Sequence, residues 1–222
     1  MQDKIVLFDI DYTLLNTTKL KELILAKLKE VVPSLNFELL DEIYYEVRKF
    51  GSFDPKLFAK LFKDKHKIEI LEIEIEKIWY DSKIIGDALY PEVIETLNLL
   101  QKRQNLTLGI FSSGRQEFQL QKIYTLSDFF TKEYIHIFDF KEDSLSDLMR
   151  EYESKSVVLV DDFISILQNG KKYKEDLSTI WMKRGKFAEK AVIPTEFTPD
   201  YTITNLSEVL DILPDMNLTN TF

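Results

Sequence analysis

The stretch Lys4-Ile5-Val6-Leu7-Phe8-Asp9-Ile10-Asp11-Tyr12-Thr13-Leu14 decides how this chain is read. Lys4–Phe8 is an apolar run of strand length, and two carboxylates spaced i and i+2 come directly after it. In an α/β sheet, ligands bind outside the carboxyl ends of the strands. Asp9 and Asp11 therefore stand where a ligand would lie. Two carboxylates there repel unless a cation sits between them. A hard divalent ion such as Mg²⁺ favours that all-oxygen setting, commonly with a phosphate as a further ligand. A carboxylate neutralised in this way can also act as a nucleophile and form an aspartyl-phosphate. An Asp-x-Asp pair alone can equally cap a turn, so the other strand ends must decide.

Further apolar runs of strand length occur at Leu106–Phe111, Tyr134–Phe138, Ser156–Val160 and Ser178–Met182. None alternates apolar with polar residues, as suits a parallel sheet covered on both faces. Helical patterns fall between them, at Pro91–Gln104, Gln116–Tyr124, Ser144–Tyr152 and, after the last run, Ser207–Leu213. The predicted fold class is therefore α/β, with a Rossmann-like parallel sheet as its core. Residues 16–89 break the alternation. Thr18–Val32, Phe37–Phe50 and Pro55–Phe62 pattern as helices. Glu69–Tyr80 alternates in part like a strand, but Ile68, Leu71, Ile75 and Ile78 make a helical stripe, and the surroundings favour helix. The expected organisation is a core domain of residues 1–15 and 90–222, with an inserted helical cap domain at 16–89.

A chain of 222 residues suits one domain with an inserted lobe. It has no cysteine, which excludes disulfides and thiolate metal sites, and its two histidines, His66 and His136, are too few for a multi-histidine centre. His136 lies in an apolar run and is expected to be packed. The net charge of −9 repels nucleic acid and anionic membranes, which argues against both as partners. A small anionic substrate stays compatible, because a bound metal and a few local cations can reverse the local field. No basic segment followed by an apolar stretch opens the chain, and the longest stretch without a charged residue, Gln104 to Gly114, is too short to span a membrane. A cytoplasmic location is the expectation. No repeats are present, and Asn217–Phe222 is expected to fray.

The polar residues gather at the strand ends. The first strand ends in Asp9 and Asp11, the second in Ser112-Ser113-Gly114, the third leads into Asp139-Phe140-Lys141, and the fourth ends in Asp161-Asp162. Separately, the later three read as a strand-to-helix turn, a surface lysine and a helix cap. Together, on one edge of a parallel sheet, the four supply carboxylates for a cation, a hydroxyl with nearby amides, and an ammonium. Phosphoryl transfer needs this equipment, because positioning and electrostatics do most of its catalysis.

In this order the residues resemble the haloacid dehalogenase-like hydrolases of the helical-cap subgroup, such as the phosphoglycolate phosphatase and β-phosphoglucomutase relatives. Asp9-Ile10-Asp11-Tyr12-Thr13 resembles the first motif, Phe111-Ser112-Ser113 the second, Lys141 the third and Val160-Asp161-Asp162 the fourth. Leu89–Val93 resembles the stretch that re-enters the core, and Tyr201–Leu210 the usual C-terminal strand and helix. The resemblance implies a phosphatase using an aspartyl-phosphate intermediate. Asp9 would be the nucleophile, and Asp11 the acid and then the base. Mg²⁺ would be held by Asp9, the Asp11 carbonyl and Asp161, with Asp162 as a direct or outer ligand. Ser112, Ser113 and Lys141 would hold the substrate phosphate. The implied substrate is a small phosphorylated metabolite.

True dehalogenases of the family lack the second aspartate, so Asp11 argues for phosphate chemistry. Three departures stand out. Lys141 is followed by Glu142 rather than the usual Pro, no acid follows Asp161-Asp162 four or five residues on, and Phe163, directly after Asp162, stands where many relatives carry a small polar residue. Alternative readings are a phosphomutase with the same active residues and a non-catalytic phosphate-binding regulator. A signalling receiver domain is disfavoured by the insertion after the first strand. Asn16, Thr17, Tyr44, Arg48 and Arg115 are candidate specificity contacts.

Overall fold

A computed structural model describes residues 4–67 and 71–213. Six parallel strands make one sheet: β1 (Lys4–Phe8), β2 (Leu106–Ser113), β3 (Ile135–Phe138), β4 (Ser156–Asp161), β5 (Ser178–Met182) and β6 (Tyr201–Ile203). Their order is β3-β2-β1-β4-β5-β6, so β1 lies inside the sheet, hydrogen-bonded to β2 and β4. This is the Rossmann-like α/β arrangement expected from the strand runs. Side chains alternate across β1, with Val6 and Phe8 in one apolar cluster and Ile5 and Leu7 in the other. Both clusters are buried, which is why the strand sequences show no polar alternation.

Five helices follow β1 before the chain returns to it at Leu89, which bridges to Leu15: α1 (Thr17–Leu28), α2 (Phe37–Arg48), α3 (Pro55–His66), α4 (Glu72–Trp79) and α5 (Ser82–Asp87). Side-chain caps start several of them. Asn16 accepts from Lys19 N–H, Asn36 from Leu39 N–H and Asp54 from Lys56 N–H, satisfying donors that a helix start leaves open. Their apolar faces, with Ile24, Leu40, Phe58, Phe62 and Trp79, join the same cluster as Val6 and Phe8. The segment Glu72–Trp79, whose sequence also alternated like a strand, is a helix, because Ile75 and Trp79 four apart fill one buried face. Ile68 in that stripe, and Asn217–Phe222, lie outside the described residues.

The remaining helices are α6 (Val93–Gln101), α7 (Gln116–Lys122), α8 (Lys141–Glu151), α9 (Ile164–Tyr173), α10 (Gly185–Glu189) and α11 (Val209–Ile212). Helix α6 begins two residues after Pro91, and the C-terminal helical pattern is a 3₁₀ turn, Leu206–Glu208, leading into α11. Helix α8 starts three residues before the pattern at Ser144 suggests. Among the described residues, no helix is long and apolar enough to cross a membrane.

Candidate active site

Parallel register brings the carboxyl ends of β1, β2 and β4 side by side. Asp9 follows β1 directly and is buried, with its backbone N–H donating to Val160 O of β4. Ser112, near the end of β2, donates from its hydroxyl to Asp9 Oδ1 at 3.1 Å. Lys141 stands at the first turn of α8 and reaches back with its ammonium to Asp9 Oδ1 at 2.7 Å and Asp161 Oδ2 at 2.6 Å. Helix α8 has no side-chain cap. The Lys141 N–H donates instead to Ser113 Oγ at 3.0 Å. Ser113 thereby satisfies an open donor of the helix start and aims Lys141 inward, while Ser112 touches the carboxylate.

Asp9, Asp161 and Asp162 converge: one carboxylate oxygen from each lies within 4.8 Å of the others, and all three residues are buried. Asp161 accepts from Phe163 N–H at 2.8 Å, which leaves its other oxygen to Lys141. Asp162 Oδ2 is buried with no hydrogen-bond partner. Burial, reinforced by the neighbouring carboxylates, pushes Asp162 up to about 9, and burial against the pull of Lys141 leaves Asp161 raised, to about 7. Asp9 is raised by the same burial, opposed by Lys141. Burial would lower Lys141, but Asp161 and Asp9 outweigh it and hold the ammonium charged. With one ammonium among three carboxyls in a low-dielectric site, ionising all three calls for a further cation. An orphaned carboxylate oxygen and an oxygen-only donor set fit a hard divalent cation. Neither histidine contributes, since His136 is bonded to the Tyr152 hydroxyl and stacked on Phe138, and His66 lies on α3.

Asp11 is held differently. Its carboxylate accepts from Lys122 Nζ at 2.8 and 2.7 Å, from the Thr17 hydroxyl at 2.6 Å and from Gln119 Nε2 at 3.1 Å. Burial would raise its pKa, but Lys122 and these hydrogen bonds outweigh it and hold the carboxyl below the ordinary range. The turn that presents Asp11 is tight. Tyr12 has φ +60, and the Leu14 and Leu15 amides both donate to Ile10 O. Gly114, at φ +144, lies against Gln119 so closely that a Cβ there would collide with the amide side chain.

Lys122 and Gln119 were not singled out from the sequence. They stand three apart on the buried face of α7, and a lysine in a short helix ordinarily points to solvent. The signal available was that both lie on the helix following the Ser112-Ser113-Gly114 strand end. Of the candidate specificity contacts, Thr17 meets Asp11, Asn16 caps α1, and Tyr44 stacks on Phe53 with Lys21 over its ring. Arg48 is exposed. Arg115 pairs with Asp54 at 2.6 Å, across from the core to the helical segment. Ser52 to Asp139 Oδ1 at 2.6 Å and Lys186 to the Tyr45 hydroxyl at 2.6 Å make further links between the two.

The sheet order, the inserted helices and this cluster define a class. A family model described as haloacid dehalogenase-like hydrolase matches residues 4–172. The chain belongs to that family of hydrolases. Among curated proteins it is 26% identical to the glyceraldehyde 3-phosphate phosphatase of Pyrococcus furiosus, over 96% of this chain and 94% of that one. Among solved structures, a haloacid dehalogenase-like hydrolase from Burkholderia xenovorans LB400 superposes with a TM-score of 0.77 at 23% identity, covering 96% of this chain and 97% of that one. The hydrolase YfnB of Bacillus subtilis, solved bound to magnesium, gives a TM-score of 0.60 at 18% identity, covering 96% and 99%. Haloacid dehalogenases are also among the structural neighbours, so likeness of fold leaves the leaving group open.

Proposed function

We propose that this chain is a Mg²⁺-dependent phosphohydrolase that acts on a small phosphorylated metabolite through an aspartyl-phosphate on Asp9. The observation that carries the reading is the convergence on one buried carboxylate. Asp9 receives Lys141 and Ser112 on Oδ1 while Asp161 and Asp162 stand beside it. Asp9, Asp161, Asp162 and the Asp11 carbonyl would hold the metal, which when bound supplies charge neutralisation for the carboxylates and the phosphate.

In the first half-reaction the Asp9 carboxylate attacks phosphorus, and the bond to the leaving oxygen breaks. Lys141 and Ser112 donate to the phosphoryl oxygens, where negative charge accumulates. Asp11, released from Lys122 and protonated from solvent, gives that proton to the departing alkoxide. In the second half, Asp11 takes a proton from water, the hydroxide attacks the phosphoryl group, and inorganic phosphate leaves with Asp9 restored. A halide would need no proton on departure, so a carboxylate held at position 11 by Lys122, Thr17 and Gln119 favours phosphate over halide chemistry. The helices α1–α5 are proposed as the cap domain, roughly residues 16–89, closing over the site and limiting access to small substrates.

The test is a panel of phosphorylated sugars, nucleotides and organic acids, headed by glyceraldehyde 3-phosphate and including 2-chloropropionate, assayed for phosphate and halide release with Mg²⁺ or chelator. Phosphate release that requires both Mg²⁺ and Asp9 is the expected result. Halide release without phosphate release would overturn the reading.

A further inference from the structure

We infer that Arg184, beyond the strand ends that carry the family motifs, is a positioning residue for the nucleophile loop. The inference rests on the phosphatase reading above. Arg184 lies two residues past β5, and its side chain is largely buried. One guanidinium joins two separate parts of the chain. Its Nε donates to Tyr12 O at 3.2 Å and its Nη2 to Thr13 O at 2.5 Å, the two carbonyls that immediately follow Asp11. Its Nη1 pairs with Glu92 Oε1 at 2.5 Å, and its plane lies 3.5 Å over the Tyr90 ring. Tyr90 and Glu92 belong to the segment of chain that returns from the inserted helices. That return is itself hydrogen-bonded to the outgoing turn, Tyr90 N–H to Leu14 O and Asn16 N–H to Ala88 O.

Tyr12 sits at φ +60, a conformation costly for a residue with a bulky side chain, so the turn needs outside support. Arg184 supplies it by donating to both of the turn's buried carbonyls. The next residue acts on the same turn: Gly185 has φ +76, and a Cβ there would collide with the Tyr12 ring. Two adjacent residues are thus fitted to one turn that fixes where Asp9 and Asp11 stand. The planar fork matters, because a lysine can keep the pair with Glu92 but cannot serve both carbonyls. The hydrogen bonds and ion pair of Arg184 go to Tyr12, Thr13 and Glu92, and not to the carboxylate cluster. Its effect would pass through the placement of Asp9 and Asp11.

The experiment compares wild type, Arg184→Lys and Glu92→Gln, using p-nitrophenyl phosphate with Mg²⁺ for kinetics, thermal melts for stability, and amide hydrogen exchange for the peptide spanning Leu14 and Leu15. The expected result for Arg184→Lys is a kcat loss of about 10- to 100-fold with KM within about threefold, the scale on which small misplacements act. Its melt should stay close to wild type while the Leu14 and Leu15 amides exchange faster. Glu92→Gln, which keeps both carbonyl bonds, should show a smaller kcat loss. Unchanged kcat and unchanged exchange in a folded Arg184→Lys protein would overturn the inference. A kcat loss that merely tracks a lowered melting temperature, with those amides unaffected, would do so as well. If wild type releases no phosphate from any substrate, the functional reading fails on its own, and amide exchange still decides whether Arg184 holds the turn.

Discussion

Lys122 grips both carboxylate oxygens of Asp11, at 2.8 and 2.7 Å, from α7, the helix that follows the end of β2. The proposed acid is thereby stored as an anion. It must be loosened from its counterion before it can protonate a leaving group.

Lys122→Met should therefore change the pH dependence as well as the rate. Lys122 outweighs burial and keeps Asp11 below the ordinary range, so its loss raises the Asp11 pKa. A proton donor is lost as pH rises through its pKa. The descending limb of phospho-enzyme formation from an alkyl phosphate should move to higher pH in the variant. Because Asp11 is partly exposed, the stability cost should be only about 1–2 kcal/mol, read from thermal melts. An unmoved limb would separate Asp11 from proton donation.

The carboxylate cluster makes stability depend jointly on pH and metal. Asp162, raised to about 9, and Asp161, raised to about 7, both stand above the ordinary value of 3.8. Between about pH 4 and pH 9 the folded chain holds protons that the unfolded chain has released, so stability without metal should fall as pH rises through that window. Mg²⁺ should oppose the fall, and its stabilising effect should grow with pH, reaching about 2.7 kcal/mol at a hundredfold excess over its Kd. Asp162→Asn should flatten the pH dependence in chelator and weaken the response to Mg²⁺. Melting curves at several pH values, with Mg²⁺ and with chelator, check both effects.

The Arg115–Asp54 pair links the core to the helical segment and is half exposed on its arginine side. Asp54 also caps α3, a role that asparagine retains. Asp54→Asn should then shift the melt by no more than about 0.5 kcal/mol, as exposed pairs are weak. If the helices close over substrate, KM should rise a few-fold and lose part of its salt dependence. Steady-state kinetics at low and high salt is the check.

Much of this was legible in the sequence because the core is governed by simple patterning. Lys4–Phe8 and Ser178–Met182 are strands with the bounds their apolar runs suggest, since a central parallel strand must be apolar on both faces. Helix starts were less readable. Lys141 opens α8 without a capping side chain of its own, because its free N–H is met by Ser113, twenty-eight residues earlier in the chain. Ile164–Tyr173, which carries Gly170 and three polar residues in its second half, shows little helical pattern outside its buried turn. The convergence of Asp9, Ser112, Lys141, Asp161 and Asp162 followed from strand ends alone. The cradle of Asp11 and the reach of Arg184 did not, because long cationic side chains pattern as surface until tertiary structure buries them.

The central claim is that Asp9 carries the phosphoryl group. The most direct measurement is acid quench of the enzyme during turnover of a good substrate with Mg²⁺, followed by peptide mass analysis, in wild type, Asp9→Asn and Asp11→Asn. A phosphoryl group on the Asp9 peptide is expected in wild type. It should accumulate in Asp11→Asn, where water activation is slowed, and be absent in Asp9→Asn along with turnover. Phosphate release by Asp9→Asn at a rate near wild type, or a phosphoryl group found on another residue, would contradict it.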